Sequence, residues 1–134
     1  MRLWHYKLLP LLPKSQLLAQ WRELNSIFKK QDKHILINYI YNDLTAFWCY
    51  SNEVIYEMVK RKYKIKSLDN WRKFFENCGG VDTKHKEFDE HNDEYLTICY
   101  WNLREKYLRG QKDFTIEIWN GISTFYNATL SKGR

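Results

Sequence analysis

The chain has 134 residues, 44% hydrophobic and 17% aromatic, with a formal net charge of +6. This length supports one domain over residues 1–134 with a modest core, and the apolar content excludes a disordered chain despite 28% charged residues. No apolar run approaches the roughly 20 residues of a bilayer span, and Cys49, Cys78 and Cys99, far apart and without a CxxC pair, point to neither a disulfide framework nor a zinc ribbon.

The opening MRLWHYKLLPLLP has too short an apolar stretch for a signal peptide, is broken by Pro10 and Pro13, and lacks a small-residue cleavage site, so a cytoplasmic location is expected. Residues 14–32 set Leu17, Leu18, Trp21, Leu24, Ile27 and Phe28 on one face at about 100° per residue, which predicts the first helix. Ser15, Ala19 and Ser26 fall opposite that stripe, with Arg22 on one side of them and Glu23 on the other. A floor of small residues beside a carboxylate leaves room for something to approach.

HILINYIY, residues 34–41, is short and β-prone but has no second strand to pair with, and reads as an extended connector. Asp43 is placed to cap a second helix whose shared face is Leu44, Trp48, Ile55, Met58 and Val59. Ser67 or Asp69 caps a shorter helix through Trp71 and Phe75, and Gly79 with Gly80 stops it. After the polar loop VDTKHKEFDEHND, Leu96, Cys99, Leu103 and Tyr107 define a third long helix that Gly110 closes. The remainder, DFTIEIWNGISTFYNATLSKGR, reads as an irregular aromatic tail. The expected class is all-α, a single domain of three main helices plus a short one.

Several chemical readings compete. His85, Asp89, His91 and Asp93 lie close together, but their spacing fixes no metal geometry, and acids ahead of a helix suit its dipole instead. No GxSxG, phosphate-binding glycine loop or recognisable Cys–His pair is present. The cluster Lys60, Arg61, Lys62, Lys64 and Lys66 suits either a phosphate grip or the negative end of a helix dipole. Trp119, Phe125 and Tyr126 suit base stacking or core closure, of which closure is the simpler. The basic balance fits a phosphate backbone, an anionic membrane surface or ordinary solubility, and its interleaving with Tyr and Trp favours nucleic acid. Glu23 is either a counter-charge to Arg22 or Lys30, or a working acid.

Taken in order, QLLAQWRELNSIFKK, KHILINYIY, VIYEMVKRKYKIK and EHNDEYLTICYWNLREKY resemble the pyrimidine-dimer DNA glycosylase family, the endonuclease V-like enzymes of DNA repair, over most of the chain. The most telling piece is Arg22-Glu23-Leu24 in the first helix. The resemblance implies a small all-α monomer, free of metal and cofactor, that acts on double-stranded DNA carrying damaged bases or abasic sites. It implies that the N-terminal amine, here of Met1, attacks the damaged sugar to form an imine, and that Glu23 assists proton transfer and β-elimination. Arg22 then holds a flanking phosphate, and Arg2, Ser26, Lys29, Lys30 and Asn102 join it in contacting DNA. Three positions depart from the family pattern: Arg2 replaces a small residue and keeps Met1 in place, while Ser26 and Asn102 stand where arginines are expected. A catalytically inactive nucleic-acid-binding protein of the same fold is the alternative.

Overall fold

The computed structural model describes residues 2–82 and 84–132. Among them run five α-helices and no strand: α1 (Lys14–Lys30), α2 (Leu44–Lys60), α3 (Leu68–Asn77), α4 (Asp93–Leu108) and α5 (Ile116–Ser131), with 3-10 turns over Tyr6–Leu11 and Asn38–Asn42. The all-α class holds. No described helix is long and apolar enough to cross a membrane.

In α1 the apolar stripe faces inward as its spacing predicts, with Leu17, Leu24 and Ile27 fully buried. It ends where Gln31 turns left-handed (φ 51°) and its N–H donates to Ile27 O at 2.8 Å. Asp43 caps α2 by accepting the Ala46 N–H at 3.1 Å. The inward face of α2 differs from the expected one. Phe47, Tyr50, Val54 and Met58 are buried, whereas Val59 is exposed. A helix with aromatic or aliphatic residues on nearly every side lets tertiary packing choose the face.

The segment read as an extended connector is a turn leading into the second 3-10 turn, with Ile37 and Ile40 buried. Without a partner strand, Ile37 and Ile40 bury by packing alone, while Ile35 stays exposed. At the start of α3 neither predicted cap forms. Ser67 occupies the N-cap position with φ 63° and no side-chain bond, while Asp69 pairs with Arg72 at 3.5 Å. Gly79 and Gly80 end that helix with φ 79° and 85°, a conformation glycine adopts at little cost.

The C-terminal tail is the largest difference. Residues 116–131 form α5, capped by the Thr115 hydroxyl oxygen, which accepts the Ile118 N–H at 3.2 Å. Gly121 and several β-branched residues mask the helix in sequence, and burial of Ile122 and Tyr126 against α4 overrides their propensity. Tyr126 stacks on Tyr100 with ring centroids 3.9 Å apart, and Trp119 stacks on both Tyr100 and Tyr107. Trp119 and Tyr126 thus close the core. A second aromatic cluster, Phe28, Phe47, Phe74 and Phe75, joins α1, α2 and α3.

The N-terminal segment is part of the core, with Leu3, Trp4 and His5 all buried. Tyr95 donates to Leu3 O, and the Tyr50 hydroxyl donates to Trp4 O at 2.6 Å. Arg61 reaches across from the end of α2 to Leu12 O (2.7 Å) and Pro10 O (3.1 Å) while pairing with Glu57 at 2.9 Å. It satisfies the carbonyls that the 3-10 turn leaves open.

Candidate active site

Helix α1 is the crest between two clefts. On one side Gln16, Gln20 and Glu23, spaced i, i+4 and i+7, look toward α4. Together with Arg2, Trp4, Ser15, Ala19, Arg22, Asn102, Lys106 and Gln111 they enclose about 450 Å³. The floor of the cleft is fixed by long-range bonds. Ser15 donates through its N–H (2.6 Å) and hydroxyl (2.8 Å) to the two oxygens of Asp113, and Gln16 Nε2 donates to Gln111 Oε1 at 2.9 Å. These hold the start of α1 against the loop between α4 and α5.

Glu23 sits half-buried in this cleft. Burial raises its pKa above the usual carboxylate value, opposed by the charges of Lys106 and Arg22 and by the hydrogen bond from Gln20. Among the described residues no cation comes within 4.0 Å of its carboxylate. Lys30, one of the two partners considered for a counter-charge, lies in the other cleft. A half-buried acid whose pKa burial raises, with the three cationic side chains of Arg2, Arg22 and Lys106 in the same walls, can stabilise positive charge when ionised and exchange a proton.

Across the crest lies a groove of about 550 Å³ lined by Leu18, Trp21, Arg22, Asn25, Ser26, Lys29, Lys30, Met58, Lys64, Lys66 and Ser67. Among the described residues that line it, five cations face no acid, so it attracts polyanions. Arg22 borders both cavities. The groove is the larger of the two, yet among the described residues Glu23 of the cleft is the only acid in either lining.

The expected floor of small residues is therefore divided. Ser15 and Ala19 lie with Glu23, whereas Ser26 lies in the groove, where its hydroxyl donates to Asp32 at 2.6 Å. Arg2, Arg22, Glu23 and Asn102 come together in the cleft, while Lys29 and Lys30 join Ser26 beyond the crest. Arg2 also lies over the Tyr95 ring, 5.8 Å from its centroid, and Asn102 donates back to Ile98 O at 2.8 Å. Met1 lies outside the described residues. Of the basic cluster at the end of α2, Lys64 and Lys66 reach the groove, and Arg61 turns inward. Gln20, Lys106 and Gln111 escaped sequence reasoning. The i, i+4 pairs Gln16–Gln20 and Asn102–Lys106 were visible, but nothing local said that the two helix faces meet.

A family model described as pyrimidine dimer DNA glycosylase matches residues 1–70, more than half of the chain. The chain belongs to that family. Membership gives this protein a role of the pyrimidine dimer DNA glycosylase kind, with DNA as the substrate class. The matched part of this glycosylase-family chain contains Arg22, Glu23 and every lining residue of the basic groove. The facing wall of the cleft, Asn102, Lys106 and Gln111, lies beyond the match. No curated protein and no solved structure matches the chain.

Proposed function

We propose that the protein is a DNA glycosylase and abasic-site lyase on damaged duplex DNA, with the α-amine of Met1 as nucleophile and Glu23 as the proton-transfer group. The observation that carries this reading is the half-buried carboxylate of Glu23 in a cleft whose lining also holds the cations Arg2, Arg22 and Lys106. Arg2 stands in that wall, and the α-carbon of its neighbour Met1 is one chain step of about 3.8 Å away. An α-amine has a pKa of about 7.7 to 8.0, so roughly a tenth is uncharged and nucleophilic at pH 7.

In the first step the amine nitrogen forms a bond to C1′ of the damaged nucleotide. The glycosidic C–N bond breaks, and the base leaves with the electron pair and takes up a proton. The nitrogen lone pair then forms a double bond to C1′ as the C1′–O4′ bond breaks and O4′ takes up a proton, and the resulting protonated imine draws electrons from C2′. Glu23 then accepts the C2′ proton, the C2′–H pair becomes a double bond to C3′, and the C3′–O bond breaks with departure of the phosphate. The cationic sugar and imine are stabilised by the Glu23 carboxylate while it is charged. The strand backbone lies along Arg22, Lys29, Lys30, Lys64 and Lys66, and extruding the target nucleotide costs least at a damaged, poorly stacked site.

Borohydride reduction of the purified protein on a duplex with one abasic site, followed by mass spectrometry of the trapped peptide, tests the reading. A covalent adduct on the Met1 α-amine is expected. Tight binding without an adduct would overturn it and leave the second reading, a nucleic-acid-binding protein of the same fold without catalysis. That reading draws its support from Ser26 and Asn102, whose polar groups are engaged by Asp32 and by Ile98 O.

A further inference from the structure

Gln20 is 1% exposed and stands one turn before Glu23 on α1. Its Oε1 accepts the Trp4 N–H at 2.8 Å and lies 3.2 Å from the Tyr50 hydroxyl, while its Nε2 donates to Glu23 Oε2 at 3.2 Å. The amide has only one workable orientation. A backbone N–H can only donate, so the oxygen of Gln20 must face Trp4 and its NH₂ must face the carboxylate. Tyr50, itself buried, clamps the same stretch of backbone from the other side by donating to Trp4 O at 2.6 Å.

Trp4 is three residues from Met1, so the position of the Trp4 backbone limits where the α-amine can reach. Glu23 is three residues from Gln20, so the same amide that holds Trp4 also holds Oε2 of the acid. Within the imine mechanism above, on which this inference rests, one glutamine side chain holds both the backbone that leads to the nucleophile and the carboxylate of the acid.

We propose that Gln20 is a positioning residue whose amide couples the backbone of Trp4 to the carboxylate of Glu23. It sets the separation of the N-terminal amine from the acid, and by occupying Oε2 it leaves Oε1 to take the C2′ proton. Most side chains on an amphipathic helix could be exchanged for others of like size without altering chemistry. Gln20 could not, because only a group with an acceptor at one end and a donor at the other spans this gap.

The test is the single-turnover rate of borohydride-trappable adduct formation on the abasic duplex across a pH series, with duplex affinity measured alongside. Gln20→Met keeps side-chain length and removes both the donor to Glu23 and the acceptor for the Trp4 N–H. Its trapping rate should fall about 10²-fold, the loss expected for a small misplacement of reacting groups, with Kd changed less than about twofold. Gln20→Glu keeps the acceptor for the Trp4 N–H and so preserves the buried backbone bond even if the Met variant does not fold. It sets a second carboxyl against Glu23, and because two carboxylates in contact share a proton, the acidic limb of the pH profile should move up by roughly one unit or more.

If both variants trap at the wild-type rate with an unmoved limb, Gln20 only fills space and the proposal is wrong while the imine reading stands. If the wild type itself forms no adduct, the imine reading fails and the positioning role fails with it. The two failures are therefore distinguishable in one set of measurements.

Discussion

The indole Nε1–H of Trp21 donates to the carbonyl oxygen of Lys66 across 2.9 Å and binds the segment after α2 to the middle of α1. That single bond places Lys64 and Lys66 beside Lys29 and Lys30 in one groove, although more than thirty residues separate the pairs in sequence. Two turns of chain thus present one basic surface.

Salt titration of duplex binding should read that surface directly. Lys64→Ala and Lys66→Ala should each weaken binding and lower the slope of log K against log salt by about 0.9, with stability changed by less than about 0.5 kcal/mol. Arg61→Ala should behave in the opposite way. Its guanidinium holds Leu12 O, Pro10 O and Glu57, so the loss should cost about 2 kcal/mol or more in urea unfolding and leave the salt slope alone. A slope that falls only for Arg61→Ala would remove the groove from the DNA path.

Glu23 should be a costly residue for the fold. Burial raises its pKa, so the folded protein holds the proton more tightly than the unfolded chain does, and the charged form destabilises the native state at neutral pH. That cost is relieved as pH falls toward the folded pKa. Glu23→Gln keeps an acceptor for Gln20 Nε2 and removes the charge, so its thermal midpoint at pH 7 should rise while adduct formation falls by about 10²-fold or more. A lower midpoint with activity intact would contradict both halves.

Acid should weaken the protein through two imidazoles. Burial, with help from the charge of Lys7, lowers His5 to about 4, and burial together with the charge of His5 lowers His91 to about 3. The geometry gives the reason: His5 Nδ1 accepts the Lys7 N–H at 3.1 Å, His91 Nδ1 accepts the Tyr6 N–H at 3.2 Å, and the two rings stack 5.4 Å apart. A proton on either Nδ1 would confront a donor. The unfolded chain takes up these protons near pH 6.5, so their stabilising contribution is complete above that value. It is lost as pH falls from about 6.5 toward about 4 for His5 and about 3 for His91, by at most about 1.4 kcal/mol per pH unit for each ring. Urea unfolding at stepped pH should show this slope, and His91→Gln should make it shallower by one proton; an unchanged slope would count against the assignment.

Much of what lies near Glu23 was legible locally. The inward stripe of α1, the Asp43 cap of α2 and the Gly79–Gly80 stop all follow from spacing and residue type within a few positions, because helix periodicity and caps are short-range properties. Arg22-Glu23-Leu24 is likewise a contiguous string, and it lies within the part of the chain that the family match covers.

What the tertiary structure decided is long-range. It made a helix of residues 116–131, because Ile122 and Tyr126 could be buried against α4. It turned Arg61 inward and sent Lys64 and Lys66 outward, although all three stand in one basic run. It parted Ser26 from Glu23 on either side of the α1 crest, and it brought Asn102, Lys106 and Gln111 from the far half of the chain to complete the cleft. Sequence carries which groups can be buried or charged. Which of them meet depends on how helices distant along the chain pack, since buried area and paired polar groups are gained only in the assembled core.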